Sequence, residues 1–496
     1  MSKTESPGPA PLLDLDGPEA LLAGRPASAW AAELGLPFHL YDRSTLRRNV
    51  RAFLEVFRRL YPRGELRYAA KACTHPEVFR TVVAEGAGLD VASPHETRCA
   101  LEAGVPPQRL DLNGNCKQDA EIERACDLDM LLIVDSAEEL RLVDALAARR
   151  GRRPRALLRL AGFGLGPVTA SAVFTSGTWT KFGLPLADLP ALLDALPQHP
   201  HVQVLGFHTH IGTQITEPEP YLAVLQTMLE WREPLERAGG RLEMVNLGGG
   251  FPESSLSAGE WGELLDRIRE GLRAAEAGDP SRTWLWEGSP GGFERGPDGK
   301  LDLGAWKGEK FHTPHPKEAM LEEVLRGSVR LGGRSMPVVE ALHGAGSPTL
   351  VLEPGRALVG DAALSVARVA HVRTVAGGHN LVTLEMGVTD HGEALVSTPM
   401  RRWVLTGEPG RREAEPFHTF VGGNLCFSGD MLSRVKVPLQ RRPRRGELVA
   451  VLGTGAYNAA FFASNANSFP RPARVLVDSD GSWVFLHRPD SYESLF

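Results

Sequence analysis

The sequence is poor in cysteine and has no long apolar run. Its 496 residues include only five cysteines, an odd number without metal-ligand spacing: Cys73, Cys99, Cys116, Cys126 and Cys426. Free thiols in a reducing compartment are the simplest account of this pattern. No segment is long and apolar enough to span a membrane, and residues 1–11 lack the apolar core of a signal peptide. We therefore expect a cytoplasmic protein without a membrane partner.

An excess of charge of either sign is also absent. The formal net charge is −6, and the basic clusters at 149–153 and 441–445 are short. Such clusters are typical of solvated loops, so nothing indicates a surface for nucleic acid. The hydrophobic share of 42% is ample for a sizeable core. The chain is longer than one ordinary domain requires, and an α/β barrel with a second domain would account for its length.

Most of the chain alternates strand-like and helix-like segments. This alternation predicts βα units and a parallel sheet, and eight strands predict an α/β protein with a (β/α)8 barrel. Polar residues at the predicted helix starts are expected N-caps: Ser44, Thr74, Ser93 and Ser136. The predicted barrel strands are 66–70, 89–92, 110–113, 130–135, 156–160, 202–209, 244–247 and 349–353.

The predicted domain boundaries lie where this alternation of strand-like and helix-like segments changes. Residues 1–36 form an N-terminal arm, and 37–356 form the barrel, with an insertion at about 287–336. A long insertion in a compact domain is usually functional or lies at an interface. Residues 357–496 alternate apolar and polar positions between Gly and Pro turns, which predicts a mainly β domain. The strand near 37–41 is a candidate to join that domain.

Lys71 directly follows the first predicted barrel strand. Barrels of this kind place their chemistry at the carboxyl ends of the strands. A desolvated lysine loses its proton more easily, as Schiff-base chemistry with an aldehyde cofactor requires. The alternative is a lysine whose alkyl chain merely covers the end of a strand.

Two glycine- and histidine-containing motifs follow later strands. His208 and His210 are two apart and could face one side of a strand. They suit a metal, a structural role or ring stacking, but no third metal ligand is evident, so we expect no metal. Gly248, Gly249 and Gly250 follow the seventh strand. Their backbone N–H groups could surround an anion such as phosphate, although tight turns need glycine as well.

Two further motifs carry charge or a thiol. Glu353 and Arg356 lie at the end of the eighth predicted strand, where they could serve as a hydrogen-bond partner and a phosphate clamp or simply form a salt bridge. Cys426 lies in the predicted β domain, ahead of Asp430 and of a later Gly-Ala-Tyr that ends at Tyr457. Either a buried structural cysteine or a proton donor fits Cys426.

Taken together and in this order, the motifs resemble those of the fold-type III pyridoxal-phosphate decarboxylases. This group contains the diaminopimelate, ornithine and arginine decarboxylases. The resemblance covers residues 38–477 without the insertion and is closest overall to diaminopimelate decarboxylase. It implies an alanine-racemase-like barrel with a C-terminal mainly β domain. The shared stretches are Tyr-Ala-x-Lys, Lys-Phe-Gly at 181–183, His-Ile-Gly, Gly-Gly-Gly, Glu-Pro-Gly-Arg, Cys-x-Ser-x-Asp, Gly-Ala-Tyr and Pro-Arg-Pro at 470–472.

The resemblance implies pyridoxal 5′-phosphate as the cofactor. Lys71 would form the Schiff base with it, and Asp90 would lie near Lys71. His210 would stack on the pyridine ring, and Glu353 would pair with the ring nitrogen. An acid at that position keeps the ring protonated and a strong electron sink, whereas alanine racemases place an arginine there; the cofactor supplies the sink itself. The implied phosphate ligands are Gly248, Gly249, Gly250, Arg356 and Tyr457.

The resemblance also implies a homodimer with shared active sites. Cys426 would reach the active site of the neighbouring subunit and protonate the quinonoid carbon after CO2 departs. Phe427, Asp430 and Tyr457 would contact the substrate.

Two departures from the family pattern concern the substrate. Diaminopimelate decarboxylases carry Glu after the cysteine, where it recognises the distal ammonium, and this chain has Phe427. They also carry an Arg-Pro-x-Leu-Tyr segment, which is absent from the corresponding region, 385–395. An apolar side chain cannot satisfy a buried cation. We therefore expect an amino acid or amino-acid-derived metabolite with a larger or less basic distal end.

Two other functions remain open at this level. One is an amino-acid racemase or epimerase on the same scaffold, against which Glu353 and Cys426 argue. The other is a non-catalytic homologue that only binds the cofactor. Such homologues tend to lose the lysine, the glycines or the cysteine, and all of these are present here.

Overall fold

The computed structural model describes residues 11–165, 175–395, 401–458 and 471–495. The chain divides into two compact units. The barrel unit consists of residues 47–254 and 307–358, and the β unit consists of residues 1–46, 255–306 and 359–496. Each unit therefore combines segments that are distant in sequence.

The barrel unit contains a closed parallel sheet of eight strands. Each strand pairs in parallel with the next along the chain, and the eighth pairs with the first. The predicted (β/α)8 barrel is confirmed. Its interior contains the buried apolar cluster Leu131, Ile133, Leu157, Leu205, Met244 and Val351. In chain order the strands are Gly64–Ala69, Gly88–Val91, Leu110–Leu112, Leu131–Val134, Arg155–Ala161, Gln203–His208, Met244–Asn246 and Thr349–Leu352.

Helices follow these strands, and side-chain acceptors define several of their starts. Ser93 and Ser136 accept hydrogen bonds from the backbone amides three residues later, as predicted. The helices after the first strand are Pro76–Ala84, Pro94–Glu102, Asp119–Leu128, Ala137–Arg150, Leu189–Ala195, Glu219–Glu230, Arg232–Arg237, Ala258–Glu276, Glu318–Arg326, Val338–Gly344 and Arg356–Val359.

Two predicted caps are wrong. The helix Arg43–Leu60 is capped by Asp42, whose carboxylate accepts from the amides of Ser44 and Thr45 at 3.1 and 2.8 Å. A carboxylate is favoured there because it also interacts with the positive end of the helix dipole. For the next helix, the ring of His75 accepts from the Glu77 amide, while the hydroxyl of Thr74 donates to the Ala70 carbonyl.

The β unit is built around the long strand Ala363–Val375. It pairs antiparallel with Phe38–Asp42, His379–Leu384 and Leu448–Leu452, and Ala473–Val477 pairs in parallel with Phe38–Asp42. The strand near residue 38 therefore belongs to this sheet. The remaining longer strands are Trp403–Leu405, Phe417–Gly422, Met431–Leu439 and Trp483–His487, and the helices Ala27–Leu34 and Tyr492–Leu495 lie near the two ends of the described chain.

The segment 287–336 is divided between the two units. Its first part carries the small hairpin Glu294–Arg295 with Leu301–Asp302 and belongs to the β unit. Its second part carries Glu318–Arg326 and the start of the hairpin Ser328–Leu331 with Arg334–Pro337, and belongs to the barrel unit. The described residues contain no helix long and apolar enough to cross a membrane.

Candidate active site

Lys71 lies in a short turn, Ala70–Ala72, directly after the first barrel strand. Its positive charge acts to lower the pKa of Asp90 and of Glu353, which lie at the carboxyl ends of the second and eighth strands. The barrel thus brings together three predicted site residues that are far apart in sequence. The Lys71 side chain is exposed, however. The desolvation that Schiff-base chemistry favours for this amine stays a prediction.

Asp90 is buried beside Lys71, with 4% of its surface exposed. Its Oδ1 accepts a hydrogen bond from Asn113 Nδ2 at 3.0 Å. Burial raises the pKa of Asp90 to about 7; the charge of Glu353 adds to the rise and that of Lys71 opposes it. Asp90 can therefore take up or release a proton near neutral pH.

Glu353 is buried and accepts hydrogen bonds from two side chains. Asn246 Nδ2 lies 2.7 Å from Oε1, and His208 Nε2 lies 3.1 Å from Oε1 and 3.2 Å from Oε2. Burial raises the pKa of Glu353, while Asn246 and the charge of Lys71 act in the opposite direction. The carboxylate is thus held in one orientation at the end of the eighth strand.

His208 and His210 have different partners. The sixth strand ends at His208, which contacts Glu353, whereas His210 lies beyond it and its Nδ1 accepts from the Gly249 amide at 3.1 Å. This bond fixes the ring plane of His210 and leaves its proton on Nε2. Burial, followed by the charge of Lys71, lowers the pKa of His210 well below its ordinary value. Both rings are therefore neutral at physiological pH.

The turn Gly248–Gly250 can be built only from glycine. Gly248 and Gly250 have backbone φ angles of +68° and +91°, values that residues other than glycine rarely adopt. A Cβ on Gly248, Gly249 or Gly250 would lie 2.3, 2.5 or 2.7 Å from a backbone carbonyl oxygen. The turn is therefore packed closely against neighbouring strand ends and presents bare backbone, which fits a cofactor that approaches it.

Two of these glycine amides are already engaged by side chains. Gly248 donates to Asn246 Oδ1 at 2.8 Å, and Gly249 donates to His210. Their contribution to phosphate binding stays a prediction. Arg356 begins the helix Arg356–Val359, directly after the eighth strand and its turn. This places a guanidinium at the same end of the barrel as the glycines.

The remaining predicted residues belong to the β unit. Cys426 is exposed, so the alternative of a buried structural cysteine is wrong. Phe427 is also exposed, with 58% of its surface accessible. Tyr457 adopts a φ of +54°, and its carbonyl accepts from the Glu393 amide at 3.0 Å.

Asp430 is buried in the β unit, where its carboxylate shapes two loops. Oδ1 accepts from the Val388 amide and Oδ2 from the Leu425 amide, each at 2.7 Å. These bonds hold the loop that carries Cys426 and Phe427. A direct contact of Asp430 with substrate stays a prediction. Of the predicted Pro-Arg-Pro motif, residue 470 lies outside the described residues.

The sequence pointed to His208 without indicating that it contacts an acid, and it gave no role to Asn113 or Asn246. Asn113 donates to Asp90, and Asn246 and His208 donate to Glu353. The only sequence signal was a polar residue at the end of an otherwise apolar strand, as at Asn246 two residues before the glycines. Such a signal does not identify the partner, because that depends on which strands are adjacent in the barrel.

Comparison with known proteins adds an independent line of evidence. The model for the pyridoxal-binding domain of pyridoxal-dependent decarboxylases matches residues 44–287. A diaminopimelate decarboxylase from Actinosynnema pretiosum subsp. auranticum is 30% identical over 97% of this chain and 92% of its own length. The chain belongs to the pyridoxal-dependent decarboxylase family. The resemblance inferred from the motifs is thereby confirmed, and the cofactor is pyridoxal 5′-phosphate.

One further relative and two solved structures are similar to this chain, and the structures show the same fold. The diaminopimelate decarboxylase of Bacillus subtilis is 26% identical over 96% of this chain and 93% of its own length. The fold matches that of a diaminopimelate decarboxylase from M. jannaschii in complex with L-lysine, with a TM-score of 0.75, 21% identity and coverage of 97% and 96% of the two chains. The fold also matches that of a lysine/ornithine decarboxylase from Vibrio vulnificus in complex with putrescine. Here the TM-score is 0.64 and the identity is 21%, with coverage of 91% of this chain and 97% of that chain. The protein is thus a carboxy-lyase that acts on an amino acid.

Proposed function

We propose that the protein decarboxylates an amino acid or amino-acid-derived metabolite, with Lys71 as the covalent anchor of the cofactor. The observation that carries this proposal is the convergence of Lys71, Asp90 and Glu353 at the carboxyl end of the barrel. When bound, pyridoxal phosphate supplies the electron sink for the charge left by departing CO2. The amine of Lys71 would hold the aldehyde carbon, and the ring of His210 would orient one face of the cofactor.

Glu353 supports decarboxylation rather than racemisation. An ionised carboxylate beside the ring nitrogen stabilises a proton there, and this strengthens the electron sink. The glycine turn Gly248–Gly250 and Arg356 would hold the phosphate, because bare backbone and a guanidinium both suit an anion. Tyr457 completes the set of phosphate ligands in this proposal.

Cys426 would return a proton to the substrate carbon. Its exposure supports a role outside the core of its own unit. In our proposal the cysteine serves the active site of a second copy, so the protein works as a homodimer. Mixing a Lys71→Ala variant with a Cys426→Ala variant, each inactive alone, would then restore up to about a quarter of the activity, because one site of each hybrid keeps both residues. Failure to restore activity in proven hybrids would refute the shared site.

The substrate would have a distal end other than the ammonium of diaminopimelate. Phe427 offers no charge to such a group. The acids of the segment 385–395 have partners of their own: Asp390 accepts from the Gly387 amide, and Glu393 pairs with Arg401. A substrate with an apolar or uncharged distal end would suit Phe427 better.

The deciding experiment begins with an absorbance spectrum of the cofactor-bound protein. A screen for CO2 release from L- and D-amino acids follows. A borohydride-sensitive visible band that Lys71→Ala abolishes, with CO2 from one substrate, would support the whole proposal. Turnover of meso-diaminopimelate at a rate typical of an enzyme on its own substrate would refute the substrate assignment alone. A visible band without CO2 release would favour a racemase, and the absence of any band would refute the function.

A further inference from the structure

The orientation of the Asn246 amide is fixed by a backbone donor. Its Oδ1 accepts from the Gly248 amide at 2.8 Å, so its Nδ2 must point toward Glu353, 2.7 Å away. A flipped amide would place Nδ2 against an N–H group and Oδ1 against a carboxylate, and would lose both bonds. Asn246 therefore donates to Glu353 and links that acid to the first glycine of the turn.

The protonation of His208 follows from its surroundings. The ring is fully buried, and burial lowers its pKa to about 3, with the charge of Arg159 acting in the same direction. A neutral ring carries one proton, and Nε2 faces the carboxylate of Glu353. Nδ1 is buried and has no hydrogen-bond partner among the residues that the structure describes. A proton on Nδ1 would leave a buried donor unpaired, so the proton belongs on Nε2, where it is donated to Glu353.

A second polar group lies near Nε2 without changing this assignment. Asn113 Nδ2 is 3.5 Å from His208 Nε2, but it lies 3.0 Å from Asp90 Oδ1. The Asn113 amide is itself oriented by Gly114, which donates to its Oδ1 at 2.9 Å. Its donor is thus committed to Asp90, and His208 keeps Glu353 as its partner.

From these contacts we infer that His208 and Asn246 are positioning residues that keep Glu353 ionised and aimed at the cofactor ring nitrogen. Two donors on a buried carboxylate favour its charged form over its protonated form. Because Asn246 also bonds to Gly248, the acid and the glycine turn are held as one unit. The inference rests on the proposed role of Glu353 toward the cofactor, and it adds two residues that act only through that acid.

The test compares two cofactors that differ in one ring atom. Dissociation constants are measured for pyridoxal phosphate and for its carbocyclic analogue, in which a C–H group replaces the ring nitrogen. The ratio of the two constants isolates the interaction of Glu353 with that nitrogen. We expect the wild type to prefer pyridoxal phosphate, and His208→Phe and Asn246→Leu each to reduce this preference by about tenfold, the difference between a charge-assisted and a neutral hydrogen bond.

A purely structural role would give a different result, because damage to the fold weakens the binding of both cofactors alike. Variants that lose affinity for both cofactors but keep the wild-type ratio would overturn the inference. The matched control is His201→Phe, since His201 is exposed and paired with Asp144 on the surface of the same unit; its ratio should equal that of the wild type. A wild type that binds both cofactors equally would overturn the role of Glu353 and this inference together. A wild type that binds neither would also overturn the proposed function.

Discussion

Glu393 and Arg401 form an ion pair inside the β unit, with Oε2 and Nη2 2.5 Å apart and side chains only 5% and 6% exposed. Removing one partner of such a pair takes away the charge that compensates the other inside the protein. Because the Glu393 amide also donates to the Tyr457 carbonyl, the pair supports the loop that carries a predicted cofactor ligand.

We therefore expect Arg401→Met to destabilise the β unit by about 3–5 kcal/mol. The neighbouring residue provides the control, since Arg402 pairs with Glu260 at 2.9 Å with both side chains about half exposed. Arg402→Met should cost no more than about 1 kcal/mol. Thermal unfolding of both variants measures the difference, and equal losses would contradict a special role for the buried pair.

Asp390 should make the stability of the β unit depend on pH. Burial, reinforced by Asp430, raises its pKa from the ordinary value of 3.8 to about 7. A raised pKa means that the native state favours the protonated acid, so the stability it contributes is full below about pH 4 and is lost as the pH rises through 7. Asp390→Asn, which stays neutral, should therefore be more stable than the wild type at pH 8, and this advantage should disappear at pH 4.

Unfolding midpoints of the two proteins across this range measure the effect. The control is Asp16→Asn, because Asp16 is exposed and belongs to the same unit. An advantage of Asp390→Asn that does not change between pH 4 and pH 8 would show that the acid is not protonated in the folded state.

Gly248→Ala should disrupt the glycine turn. The added Cβ would lie 2.3 Å from the Thr209 carbonyl oxygen at a φ of +68°. Overpacking together with the strained backbone should cost about 2–4 kcal/mol and weaken the binding of pyridoxal phosphate. Gly344→Ala is the control in the same unit, because a Cβ there meets nothing within 4 Å and the residue ends a helix. Unchanged cofactor affinity in Gly248→Ala would remove the turn from the binding site.

Cys426→Ala should separate cofactor binding from turnover. We expect the visible cofactor band to remain while the rate of decarboxylation falls by about a hundredfold or more, since general acid catalysis commonly contributes that much. Cys116→Ala is the matched control, because Cys116 is also an exposed cysteine but has no proposed role. Full activity in Cys426→Ala would exclude the cysteine as the proton donor.

The fold and the main site residues could be predicted because they depend on local patterns. Short apolar runs that alternate with capped helices indicated the barrel, and Lys71 and Glu353 stood at the ends of such runs. Parallel strands of one barrel end on the same side, so these residues had to meet there. The family motifs then identified the cofactor.

The tertiary structure alone decided which groups contact one another. The partners of Glu353 come from the sixth and seventh strands, more than a hundred residues away from it in sequence, and no periodicity relates them. Sequence patterns also did not predict three other features: the exposure of Lys71, the side-chain partners of the Gly248 and Gly249 amides, and the buried ion pair of Glu393 and Arg401. A sequence determines where a polar side chain leaves its own strand or turn. Which donor or acceptor it finds depends on how the whole chain packs.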